Sequence, residues 1–262
     1  MIGWWDNHIQ RADQLAAQPT GSTALVSFYA QLLRAQKEIY EFLRSRKGWL
    51  PSGDLDSDLS VVRDAWPGFL KIVETHGTET LAAEAHDLSA ASADTIDELL
   101  VSHWRSPSDI QFFAKAFLQP YARWLLETGA TPLGRDVAGG ERVCPFCGGN
   151  PQVSFLQSKE TNAESGNRDL ICGSCLSSWE FRRVVCAKCG EERPEKLGYF
   201  HTSQYDHIRI EGCDTCKHYI KGIDLTRLGL AVPLVDEVAA AALDVWAREQ
   251  GYVKIELNLV GL

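Results

Sequence analysis

The sequence predicts a helical N-terminal half, then a small β region built around metal-binding cysteines, then a closing helix. Three observations carry this expectation. Apolar residues recur at helical intervals through much of residues 1–135. All eight cysteines fall between Cys144 and Cys216, as the pairs Cys144/Cys147, Cys172/Cys175, Cys186/Cys189 and Cys213/Cys216. A last helical pattern opens at Pro233 and stops at Gly251.

Taken in order, Thr23 to Arg46 places Leu25, Phe28, Leu32, Ile39 and Leu43 on one face, with Arg34, Lys37, Glu41 and Arg44 largely elsewhere. Gly48 and Pro51 end that helix, and Leu50 to Ser60 reads as a turn-rich connection. Pro67 suits the first turn of a further helix, Gly68 to Thr75, closed by Gly77. Thr78 to Leu88 is an alanine-rich helix, and Thr95 and Glu98 have capping-box spacing ahead of Leu99-Leu100-Val101. Ser108 is placed to cap the next helix, whose stripe is Ile110, Phe113, Phe117 and Tyr121; Pro120 inside it predicts a kink or a break. Gly129, Pro132, Gly134 and Gly139-Gly140 then mark the boundary of an all-helical domain over residues 1–135. His8, His76, His86 and His103 are scattered and form no motif.

The cysteine region, residues 141–224, carries the chemistry. A C-x-x-C pair in a tight turn aims two sulfurs at one point, and two such pairs make a tetrahedral S4 site for zinc or iron. Roughly two dozen residues separate the first pair from the second and the third from the fourth, with only about ten in between. This long-short-long spacing reads as two tandem rubredoxin-like or zinc-ribbon modules, 141–180 and 181–224. Cys144, Cys147, Cys172 and Cys175 then hold one metal, and Cys186, Cys189, Cys213 and Cys216 the other. An interleaved pairing, with the first and third pairs sharing a metal, is the alternative. Glycine after Cys147 and Cys189 permits the positive φ of a metal knuckle; Cys216 is followed instead by Lys217. Short β-rich stretches flank the knuckles: Val153–Leu156, Asp169–Ile171, Trp179–Val185, Gly198–Phe200, Ile208–Ile210 and His218–Ile223. Disulfides and a catalytic redox pair fit less well, because no secretion signal is seen and four pairs sit among hairpins.

In residues 232–262, Leu234, Val238, Ala241 and Val245 form one stripe of the final helix, widened by Val235, Ala239, Ala242 and Trp246. A tail around Ile255–Leu259 reads as a strand or an extended clamp. The net charge of −9 argues against general nucleic-acid binding, and Arg182-Arg183 is the only adjacent basic pair in the ribbons. No apolar run reaches the length of a membrane helix, and no Ser/His/Asp group, phosphate loop or H-E-x-x-H motif appears. The expectation is a cytoplasmic protein that is not an enzyme, with no nucleic-acid partner and no membrane insertion.

The metal region resembles the formate dehydrogenase accessory proteins of the FdhE type. The residues that carry the resemblance are C-P-F-C-G-G-N-P at 144–151, I-C-G-S-C-L-S-S-W-E-F-R-R-V-V-C-A-K-C-G at 171–190, E-G-C-D-T-C-K-H-Y-I-K at 211–221 and D-E-V-A-A-A-A-L-D-V-W-A-R-E-Q-G-Y at 236–252. It spans roughly half the chain; the acidic loop Lys159 to Asn167 carries no family signature. The resemblance implies a maturation factor, or assembly chaperone, that binds the catalytic subunit of formate dehydrogenase. It also implies iron in the S4 sites, whereas spacing alone admits iron or zinc. A rubredoxin-type one-electron role is the alternative, and a nucleic-acid-binding ribbon a more distant one. Trp179, Arg182, Arg183, Glu211, Tyr219 and Lys221 lie beside knuckles and are the exposed candidates for partner contact. In the plainer reading Trp179 and Tyr219 cover the metal sites, and Arg182 and Lys221 donate to thiolates.

Overall fold

A computed structural model of the chain describes residues 3–157 and 167–262; the acidic loop after Gln157 lies outside them up to the backbone of Asn167. The first half is helical: α1 (Trp4–Ala16), α2 (Thr23–Ser45), α3 (Leu55–Val62), α4 (Trp66–His76), α5 (Glu79–Ser89), α6 (Ala93–Arg105) and α7 (Phe112–Thr128). Helix α3 occupies part of the connection expected to be turns. Its start, Leu55, is buried, and so is Asp58, which accepts from the Tyr121 hydroxyl at 2.7 Å. Leu55, Asp58, Leu59 and Val62 keep helical spacing on one buried face, and that face anchors a helix too short to stand alone.

Other boundaries also move. The cap of α6 is Ser92, whose side chain accepts from the Thr95 N–H, in place of a box starting at Thr95. Helix α7 begins after Gln111, not Ser108, which leaves Ile110 91% exposed outside the stripe it was assigned to. Phe113, Phe117 and Tyr121 do face the core, with Trp66, Phe69 and Leu100. Fully burying each such ring contributes about 2–3 kcal/mol.

Pro120 does not break α7. Proline has no N–H, so the carbonyl of Ala116 loses its helical partner. The Gln36 amide of α2 fills that place, donating to the Ala116 carbonyl at 2.8 Å and to the side-chain Oε1 of Gln119 at 2.8 Å. Gln119 in turn donates to the carbonyl of Gly173 at 2.7 Å. A buried relay of amides thus runs from the helical core into a cysteine knuckle.

All six expected strands are present: β1 (Pro151–Gln157), β2 (Asn167–Cys172), β3 (Ser178–Phe181), β4 (Leu197–His201), β5 (Ile208–Cys213) and β6 (His218–Asp224). Each ribbon is a three-stranded antiparallel meander. The two meanders join edge to edge, because β1 pairs with β6 in parallel, giving the order β3-β2-β1-β6-β5-β4. A short β7 (Val253–Lys254) adds in parallel beside the start of β6; the strand lies just before the expected tail Ile255–Leu259, which is bends and turn.

Strand alternation gives this sheet two faces. Val153, Phe155, Ile171, Ile208, Ile210, Tyr219 and Ile223 join the main core with the helices. Leu170, Phe181, Val185, Ala187, Ile220 and Ile255 form a smaller core on the other face.

The final helix is two helices, α8 (Pro233–Ala239) and α9 (Ala241–Glu249), broken at Ala240. The break rotates the second stripe. Leu243, Asp244 and Ala247 face inward, while Val245 is 50% exposed. Helix α8 packs on both halves of the molecule. Ser22 donates to the Ala239 carbonyl at 2.6 Å, and Arg11 of α1 grips Asp236 with two hydrogen bonds.

Candidate metal centres

The eight cysteines gather into two groups of four: Cys144, Cys147, Cys172 and Cys175, and Cys186, Cys189, Cys213 and Cys216. This is the tandem pairing, not the interleaved one. Within each group all four sulfurs lie within 4.8 Å of one another. Cys147–Cys172 and Cys144–Cys175 are 3.5 and 3.6 Å apart in the first centre, and Cys186–Cys216 and Cys189–Cys213 are each 3.7 Å apart in the second. A tetrahedral ion about 2.3 Å from each thiolate requires sulfurs about 3.8 Å apart, whereas a disulfide requires about 2.05 Å. The donor set therefore fits a thiophilic tetrahedral ion, zinc or iron, and does not fit disulfides.

Local backbone geometry explains how each pair converges. In all four knuckles the residue after the second cysteine is left-handed: Gly148 (φ 71°), Leu176 (φ 60°), Gly190 (φ 78°) and Lys217 (φ 56°). Two of these are the expected glycines. Leu176 and Lys217 adopt the same turn at a steric cost of about 1 kcal/mol each. The turn lets main-chain N–H groups reach sulfur. Ser174 and Cys175 donate to Cys172 at 3.3 and 3.5 Å, and Lys188 and Cys189 donate to Cys186 at 3.4 and 3.5 Å.

The surroundings of the two centres differ. All four cysteines of the first are at most 1% exposed. Ser177 Oγ lies 3.1 Å from Cys144 Sγ and 3.0 Å from Cys175 Sγ, so its single proton bridges the two thiolates. Arg135 donates to the Cys147 carbonyl at 2.8 Å and points a second nitrogen at the Cys147 sulfur from 3.7 Å. Thiols this close split their titrations: hydrogen bonds from Cys147, Cys172 and Cys175 push Cys144 down, and burial pushes Cys172 far up. A cation at the centre is what lets all four ionise together. In the second centre Cys189 is exposed and Cys216 half-buried. No counterpart of Ser177 appears among the described residues.

The helices and the tail converge on the first centre. Besides Gln119 on Gly173, Arg123 of α7 donates to the Leu176 carbonyl at 3.3 Å. Glu256 of the tail packs so closely on Gly173 that a Cβ there would lie 2.6 Å from its Cγ. The ammonium of Lys115, 4% exposed, holds Glu256, Asp109 (2.8 Å) and the Leu257 carbonyl (2.6 Å) together.

The six partner-contact candidates divide. Trp179 is half-buried, its indole N–H donating to the Glu141 carbonyl at 2.9 Å, and Arg182 and Arg183 are exposed. Arg182 pairs with Glu141 and Glu192 and, among the described residues, donates to no thiolate. Glu211, Tyr219 and Lys221 are buried, which corrects their reading as exposed candidates. Tyr219 and Lys221 also turn away from thiolate duty. Tyr219 donates to Asp244 at 2.7 Å, and Lys221 lies among Asp244, Glu237 and the Glu237 carbonyl, with Lys254 completing the charge balance. Asp244 is held below the usual carboxylate range: burial pushes it up, but Lys221 and Lys254 outweigh this. The lysine reads as a surface residue by type. Its alternation with Tyr219 and Ile223 on one face of β6 is the signal that it is buried.

Comparison with known proteins agrees with this architecture. The family domain described as "FdhE, central domain" matches residues 143–183, and "FdhE, C-terminal domain" matches residues 184–260. A "Protein FdhE homolog" of Aquifex aeolicus is 36% identical over 196 residues, 73% of this chain and 67% of that protein. One from Haemophilus influenzae is 28% identical, covering 76% and 66%. The crystal structure of the FdhE protein from Pseudomonas aeruginosa has the same fold, with a TM-score of 0.69 at 22% identity over 97% of this chain and 94% of that one. The match to the Aquifex protein, together with both domain matches on the two cysteine centres, places this chain in the FdhE family.

Proposed function

We propose that the chain is a formate dehydrogenase accessory protein, a non-enzymatic maturation factor that docks on the catalytic subunit through its metal-ribbon region. Membership of the FdhE family is the observation that carries this reading. The metal's part is structural: two S4 centres tie the knuckles of two small three-stranded ribbons together. Acids and bases roughly balance over residues 141–224 and the whole chain carries a net charge of −9, which favours a protein partner over nucleic acid.

Exposed Arg182 and Arg183 at the ribbon junction, with half-buried Trp179 beside them, form the proposed contact face. The test is anaerobic titration of the purified chain into a formate dehydrogenase catalytic subunit lacking its cofactor, read by calorimetry. A complex weakened about tenfold or more by Arg182→Ala with Arg183→Ala supports the reading and the face. A complex unchanged by the pair moves the face elsewhere, and no complex at all overturns the reading.

Exposure of Cys189 favours a second reading, in which iron at the second centre passes single electrons. Metal content and absorption before and after dithionite decide it. Two irons with ferric-thiolate bands that bleach keep electron transfer alive, and zinc with a featureless spectrum removes it.

A further inference from the structure

The smaller core contains a group with no structural explanation so far. Arg168 of β2 is 2% exposed. Its guanidinium reaches past β1 and β6 to Glu211 of β5, 2.5 Å away. It also donates to the carbonyls of Arg182 and Val185, both at 3.0 Å. Gly222 of β6 leaves the room for this crossing, since a Cβ there would sit 2.5 Å from the Glu211 carboxylate. Arg209 binds the same carboxylate at 2.7 Å.

Two features are left over. The Nε of Arg168 is buried with no hydrogen-bond partner among the described residues. A small cavity of about 20 Å³ is bordered by Arg168, Glu211 and Val185 and also by Cys186 and Cys213 of the second centre. A buried guanidinium N–H left unsatisfied is costly, so a partner is expected there. A cavity of this size that borders both a guanidinium and two metal-ligand cysteines suits one water and nothing larger. The charges point the same way. Two guanidiniums on one carboxylate leave an excess positive charge, and four thiolates around a divalent ion leave an excess of negative charge facing it.

We propose that the cavity holds one buried water that accepts from Arg168 Nε–H and donates to the thiolate of Cys186 or Cys213. Arg168 is then a positioning residue of the second metal centre alone. It does for that centre, through the water, what Ser177 does for the first by direct contact.

The test uses the full chain loaded with two zinc ions. Zinc release to a chromogenic chelator is followed in time, with the phase of the second centre identified by its absence in Cys189→Ser. Arg168→Met is expected to accelerate that phase about tenfold and leave the other unchanged. Val185→Ile fills the cavity with one methylene while keeping the arginine; it is expected to accelerate the same phase about threefold. This variant also carries the test if Arg168→Met does not fold. A through-space NMR cross-peak between Arg168 Nε–H and a bound water is expected in the parent protein and absent in Val185→Ile. No cross-peak in the parent, a release rate indifferent to Val185→Ile, or equal acceleration of both phases by Arg168→Met overturns the proposal.

Discussion

The two metal centres share a ligand set and a turn geometry but not a situation. The first lies where sheet, helices and tail meet. Its knuckles receive side chains from α7, from the tail and from Arg135, and its sulfurs are out of reach of solvent. The second lies in the β4–β5–β6 ribbon, its cysteines at the same end of the strands, with Cys189 in solvent. One sulfur set therefore acts as a keystone between two halves of the molecule, and the other stabilises a local ribbon. Similar ligand spacing does not imply similar consequences when a metal is lost.

The largest effect is expected from separating the centres by mutation. Cys172→Ser removes a buried ligand from the first, and metal free energies at such sites are on the order of 10 kcal/mol. Helix and ribbon should then lose their common thermal transition. Cys189→Ser should cost one metal ion but leave the helical transition in place. Circular dichroism with metal analysis reads both, and equal damage by the two variants would dissolve the contrast.

A smaller effect tests the connection itself. Lys115→Met leaves Asp109 and Glu256 facing each other in a buried pocket, at an expected cost of about 3–5 kcal/mol in denaturant unfolding. Metal release from the first centre should quicken, and release from the second should not change.

Acid probes the helical half. Burial pushes His8 and His103 down to about 4, so both are neutral when folded, and both titrate near 6.5 when the chain unfolds. Between those values only the unfolded chain binds the protons. Stability is therefore complete above pH 6.5 and falls as the pH drops toward 4, by about 3 kcal/mol at most for each histidine. Urea midpoints across this range, compared with those of His8→Gln and His103→Gln, should show the slope flatten in the variants.

The smallest effect lies in the knuckles. Lys217→Gly relieves a left-handed lysine at the second centre and is expected to gain about 1 kcal/mol, less any loss from its pairing with Asp214. A loss of stability would show that the lysine's contacts outweigh its backbone strain.

Much of this arrangement is legible in the amino-acid order, and the remainder is hidden for identifiable reasons. Cysteine pairs and their strands can be read because ligand convergence is decided within a few residues. The parallel union of β1 and β6 cannot, since its partners are far apart in the chain and each strand looks complete within its own hairpin. Pro120 predicts a broken helix because the compensating amide, Gln36, belongs to another element. Ala240 interrupts a pattern that continues through it in sequence. Lys221 sits near the last turn of α8, close to the carbonyls of Glu237 and Ala240. Cysteine spacing does not single out Ser177 or Arg135; a hydroxyl two residues beyond Cys175 is the one clue in the sequence.

The parallel seam also dictates an order of events during folding. Val153 and Lys221, partners across it, are separated by roughly 70 residues, so the seam closes only after both hairpin ribbons exist. On a growing chain β1 emerges long before β6 and waits as an open edge. Lys221 then needs Glu237, Asp244 and Lys254, which emerge later still. The last thirty or so residues therefore act as a completion signal: a nascent chain stopped at Asp224 has every cysteine it needs for both metals but lacks the carboxylates that make burial of Lys221 tolerable.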